Sequence, residues 1–125
     1  MKTLAQRRAA IALKWKDKKY GGKKEGNVVS GFPTLIRMDG LLPALAYAVE
    51  RKENKQTKEL VPKNQGEFQI ASALVEHLSS EGIVTQSKSP DDMVKELATA
   101  ADASQLRRAT AEALAFLNYL KRFVA

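Results

Sequence analysis

Cysteine is absent from the 125 residues of this chain, so it can form neither a disulfide framework nor a thiolate metal site. Nothing in it calls for an oxidising compartment, and the expected address is the cytoplasm. Long apolar runs are missing too, since every stretch falls far short of the roughly 20 residues that cross a bilayer. The basic N-terminus does not make a secretory signal: the apolar stretch 9–13 is short, mostly alanine, and ends at Lys14. No integral membrane segment is expected.

Histidine occurs once, at His77. One imidazole with Glu76 and Glu81 nearby is a poor metal site, and any catalytic triad would have to be built on that single ring. A place on a helix face, partly buried, is the better reading of His77. The serines lack the setting of a nucleophile elbow. Gly21-Gly22-Lys23 lacks the spacing of a phosphate-binding loop and follows a helix rather than a strand. Asp91 and Asp92 stand where a helix begins, and its dipole accounts for them without acid–base chemistry. These absences point to a non-enzyme with no metal, cofactor or small-molecule substrate.

What is present is an ordinary globular composition, 44% hydrophobic and 28% charged, in a chain long enough for one domain over residues 1–125. The net charge is +7 and its placement is uneven. Up to Lys24 there are nine basic residues (Lys2, Arg7, Arg8, Lys14, Lys16, Lys18, Lys19, Lys23 and Lys24) against one acid, Asp17. The local charge of +8 exceeds the total for the whole chain, which suggests a polyanionic partner.

Periodicity predicts an all-α, compact bundle of about five or six helices. Thr3 can cap a first helix to about Tyr20, on which Leu4, Ile11 and Trp15 share a face and Arg7, Lys14 and Lys18 fall in one strip beside it. With the flexible, basic Gly-rich loop that follows, this makes a basic N-terminal unit over residues 1–26. Gly31-Phe32-Pro33 predicts a short helix from Pro33 to about Met38, broken at Gly40. A third helix is expected over 41–51, with Leu42, Leu45, Ala46 and Val49 inward. Residues 52–63 are polar and predict a surface connection.

Asn64 with Glu67 is a capping-box variant ahead of the stripe Phe68, Ala71, Leu74, Val75 and Leu78. Ser89-Pro90-Asp91-Asp92 predicts a helix start, with Met93, Leu97 and Ala100 inward. Asp102 can cap a last helix through about Val124, whose seam is Leu106, Thr110, Ala113, Leu117, Leu120 and Val124. Leu4, Ile11, Trp15, Ile36, Leu45, Leu74, Leu78, Leu97, Leu114, Leu117 and Leu120 form the expected core. Val28-Val29 and Ile83-Val84-Thr85 are too short and isolated for a sheet.

Three stretches carry a resemblance: Gln6-Arg7-Arg8-Ala9, then the run from Phe32-Pro33-Thr34-Leu35-Ile36-Arg37 to Met38-Asp39-Gly40-Leu41, and finally Arg107-Arg108-Ala109-Thr110-Ala111-Glu112-Ala113-Leu114 leading into Tyr119-Leu120-Lys121-Arg122-Phe123. In order and spacing the chain resembles the small helical subunit of the type III-B, or Cmr, CRISPR effector complex. The resemblance departs at Leu106 and Tyr119, where the family tends to an aromatic residue and to tryptophan. It implies a non-enzymatic subunit that stacks with its own copies and with other Cmr subunits along the guide RNA and helps hold the target RNA. Cleavage and nucleotide cyclisation are then expected in other subunits.

The cations expected to meet RNA are Arg7, Arg8, Lys14, Lys18, Lys23 and Lys24, with Arg107, Arg108, Lys121 and Arg122 as a second group. Structural roles compete with this: Arg107 or Arg108 can pair with Glu112, and Arg37 with Asp39. Two other functions fit the composition, a small basic DNA-binding or nucleoid-type protein and a protein-interaction adaptor. The first would need a helix-turn-helix register, and none is convincing.

Overall fold

A computed structural model describes residues 1–18, 20 and 26–124. Of the expected basic loop, residues 21–25, Lys23 and Lys24 included, lie outside the described residues, and Gly26 already belongs to a helix. Thr3 opens helix α1 (Leu4–Trp15) with a full capping box, its hydroxyl accepting the Gln6 N–H at 3.1 Å while the Gln6 side chain accepts the Thr3 N–H at 2.7 Å. The helix stops at Trp15, short of the expected Tyr20. Burial explains the difference. The Tyr20 side chain is fully buried and its hydroxyl donates to the Trp15 carbonyl at 2.5 Å, satisfying an orphan acceptor of the helix end. Removing the phenol from water pushes its pKa up to about 12.

Helix α2 (Gly26–Asp39) begins well before Pro33, which sits inside it rather than in its first turn. An interior proline costs about 3 kcal/mol. Val29, Phe32 and Ile36, all buried, lie on one helical face, and their removal from water at about 1.5–3 kcal/mol each outweighs that cost. Gly40 follows with φ of 97°, a conformation open to glycine, and turns the chain into α3 (Leu41–Ala48). The inner face of α3 is Leu41, Ala44, Leu45 and Ala48, so Ala46 is exposed and Leu42 and Val49 are only half-buried. Its short length lets the end of α2 set which face turns inward.

The expected connection over 52–63 is instead built on an antiparallel hairpin, β1 (Arg51–Glu53) with β2 (Leu60–Pro62), in the register Arg51 to Pro62, Lys52 to Val61 and Glu53 to Leu60. Its turn is organised by Asn54, whose side chain accepts the Gln56 and Thr57 N–H groups at 2.9 and 3.2 Å. Each strand is three residues long, β1 charged and exposed and β2 apolar but at the surface, too short for an alternation of apolar residues to announce them.

Helix α4 (Gln65–Ser80) packs against each of the other five helices. The expected Asn64 capping box is not formed; the Asn64 amide donates to the Tyr47 carbonyl at 2.9 Å and ties α4 to the end of α3. Helix α5 (Pro90–Thr99) starts as the sequence predicts, with the Ser89 hydroxyl accepting the Asp92 N–H, but Ala100 is its exposed C-cap. Helix α6 (Ala103–Phe123), capped by Asp102, packs along α1, α2 and α4. Ile36, Leu45, Leu74, Leu78, Leu97, Leu117 and Leu120 are buried as expected. Leu4, Ile11, Trp15 and Leu114 are only half-buried, because α1 and α6 lie at the outside of the bundle and each keeps one flank in water.

A buried carboxylate shapes the connection between α4 and α5. Glu96 accepts from the backbone N–H groups of Thr85 and Gln86, the Ser87 hydroxyl and the Gln105 amide. Burial alone would raise its pKa, yet these donors hold it below the ordinary glutamate range. This arrangement turns Ile83 and Val84 into the core without a strand.

Candidate nucleic-acid interface

Seven residues separate Arg7 from Lys14, two helical turns, so both leave the same side of α1. That side lies against α4, which runs antiparallel to it. Arg7 makes a bidentate pair with Glu81, Nε to Oε2 at 2.7 Å and Nη2 to Oε1 at 3.1 Å, and also donates to the Lys2 carbonyl. Lys14 reaches both oxygens of Glu76 at 2.9 and 3.0 Å, and the Trp15 indole N–H joins the same carboxylate at 3.2 Å. The Arg7 hydrogen bond holds the Glu81 carboxyl below its usual pKa and raises that of the guanidinium. Lys18, the third cation of the strip, is exposed and lies 5.5 Å from the Trp15 ring centroid.

Arg8 turns the other way, into the seam of α1, α4 and α6. It binds Glu112 in bidentate fashion, Nε to Oε2 at 2.6 Å and Nη2 to Oε1 at 2.8 Å. His77 Nε2 meets Glu112 Oε2 at 2.8 Å, and the imidazole stacks on Phe116 with centroids 4.8 Å apart. The pair with Arg8 dominates the electrostatics: it draws the Glu112 pKa down despite partial burial and raises that of Arg8. His77 is fully buried rather than partly exposed, and its Nδ1 has no hydrogen-bond partner among the described residues. It serves the seam of three helices, and no cluster of three metal-ligating side chains occurs among the described residues.

The ten expected RNA-facing cations therefore divide. Arg7, Arg8 and Lys14 are engaged by carboxylates of the α4 C-cap, α6 and α4 respectively. Lys23 and Lys24 lie outside the described residues. Arg107, Arg108, Lys121 and Arg122 are exposed on α6 and, like Lys18, make no ion pair among the described residues. Glu112 is taken by Arg8 and His77 rather than by Arg107 or Arg108, and no Arg37–Asp39 pair forms.

The surroundings of the α6 arginines differ. Arg107 edges an apolar groove with Leu41, Leu42 and Leu106. Arg108 shares a cleft with the acids Glu96 and Asp102. Arg122 shares one with Arg8, Asn118 and Tyr119. The carboxylates Glu76, Glu81 and Glu112 were not legible as partners, because they lie 62, 74 and 104 residues from the cations they bind.

Among the described residues no helix is long and apolar enough to cross a membrane. The family model described as "CRISPR-associated protein (Cas_Cmr5)" matches residues 4–125. No curated protein and no solved structure matches the chain.

Proposed function

The chain belongs to the Cas_Cmr5 family and is a small Cmr-type CRISPR-associated protein, and from that premise we propose that it is a non-catalytic subunit of a type III-B effector that stacks along the guide and target RNA and helps bind the target. The observation that carries this reading is the family match across nearly the whole chain. Exposed cations support its RNA-facing part: Lys18, Arg107, Arg108, Lys121 and Arg122 are not engaged by carboxylates among the described residues, and phosphate contacts of this kind position a strand without reading its sequence.

In this reading the protein works in the cytoplasm as one helical domain, with other Cmr subunits and further copies of itself as partners. Its own affinity for RNA is weak, and neighbours held along one strand at high effective concentration make the affinity collective. Salt-dependent binding to single-stranded RNA, compared with duplex DNA of equal length, tests the RNA role. Preference for the single strand with a steep salt slope supports it. Preference for duplex DNA would favour a nucleoid-type role, and no binding at low salt, alone or in the assembled effector, would favour a protein adaptor.

A further inference from the structure

The cleft between α1 and the last turns of α6 differs from the two surfaces that carry Arg107 and Arg108. It has a volume of about 340 Å³ and is lined by Arg8, Ala115, Asn118, Tyr119 and Arg122, which puts it at the small end of the roughly 300–1,000 Å³ typical of ligand sites. No carboxylate lines it, in contrast to the cleft of Arg108, and it is not walled by aliphatic side chains like the groove of Arg107.

Its side chains fit a nucleotide. The bidentate bond to Glu112 uses the Nε–H and one Nη2–H of Arg8, so three of the five guanidinium N–H groups remain to donate from an orientation that is already fixed. Arg122 is exposed, adds a second planar cation, and with Lys121 opposes the partial negative charge at the end of α6. Tyr119 is half-buried, braced by Phe123 with ring centroids 6.4 Å apart, and an aromatic face accepts any base. Asn118 supplies an exposed amide with both donor and acceptor capacity.

We infer that this cleft seats one nucleotide of a single RNA strand, its phosphate between Arg8 and Arg122 and its base against Tyr119. The inference rests on the RNA-binding role proposed above and narrows it to four side chains, two of which, Asn118 and Tyr119, are not cations. It also gives Glu112 a second task, since the carboxylate that closes the helix seam fixes the guanidinium and leaves its remaining Nη hydrogens for the phosphate.

The test is fluorescence anisotropy of the full chain with a labelled single-stranded oligouridylate of about twelve nucleotides, repeated over a range of salt. Tyr119→Leu should weaken binding about tenfold with the salt slope unchanged, while Tyr119→Phe stays within about twofold of the wild type. Arg122→Gln, at an exposed position where folding is not at stake, should weaken binding and lower the salt slope by about one. An RNA duplex of equal length and free uridine monophosphate should both compete poorly.

Wild-type affinity in both Tyr119→Leu and Arg122→Gln would overturn the cleft while leaving the RNA-binding role standing. Equal affinity for the duplex would remove the base-stacking half of the inference, and monophosphate binding as tight as the strand would show a free-nucleotide site instead. Absence of any binding by the wild type, alone and in the assembled effector, would overturn the role itself.

Discussion

Replacing Glu112 by alanine should be among the most damaging single changes in this protein, although the residue lies in a helix rich in exposed charge. The carboxylate is 10% exposed; it holds the Arg8 guanidinium, itself only 21% exposed, and the fully buried His77. Loss of the charge-assisted pair costs about 1.5–3 kcal/mol, and leaving the buried imidazole with no partner on either nitrogen costs about 1–3 kcal/mol. Because Arg8 can still reach water, the total should stay within the roughly 3–5 kcal/mol typical of breaking a buried pair.

Urea unfolding followed by circular dichroism measures this directly. Glu76→Ala is the matched control. Its partner Lys14 is 65% exposed, so that pair should be worth about 1 kcal/mol or less. The double change Arg8→Met with Glu112→Leu should recover the part of the loss that comes from Arg8, since paired apolar groups leave no buried charge behind, but not the part that comes from the unpartnered His77. A Glu112→Ala cost no larger than that of Glu76→Ala would refute the account of the seam.

Gly66→Ala should destabilise severely, by several kcal/mol, because an added Cβ would fall 1.7 Å from the Tyr20 carbonyl oxygen; thermal unfolding measures the loss, and Gly31→Ala serves as a mild comparison, with no atom within 4 Å of the added Cβ. Leu117→Ala, at a fully buried position of α6, should cost about 2–5 kcal/mol in urea. Stability should also fall in acid: Glu81, Glu96 and Glu112 all have folded-state pKa values below the ordinary range. Their contribution is complete above the unfolded glutamate pKa of about 4.3 and is lost as pH falls through the lowered folded values, where the unfolded state binds more protons. Unfolding free energy measured from pH 7 downward should therefore decline below about pH 4.5, and Glu96→Gln should flatten that limb.

What the sequence made legible follows the range of the interactions involved. The starts of α1, α5 and α6 were readable because Thr3, Ser89 and Asp102 act on N–H groups three residues away. The start of α2 was not, because Pro33 is a strong local signal and the burial of Val29 and Phe32 that overrides it is tertiary. The same divide runs through the site. Helical spacing placed Arg7 and Lys14 on one face, but nothing local shows that this face meets Glu76 of α4 and Glu81 at its C-cap. Arg8 sits beside Arg7 in sequence and looks equivalent to it, yet one residue rotates it about 100° into the seam with Glu112.

The most direct test of the central claim is reconstitution of the Cmr effector with and without this chain, with guide loading, target binding and target cleavage measured separately. Omission should leave guide loading intact and weaken target binding, and Arg122→Gln should restore assembly while restoring target affinity only in part. Failure of guide loading on omission, with normal target affinity in whatever complex remains, would contradict the account.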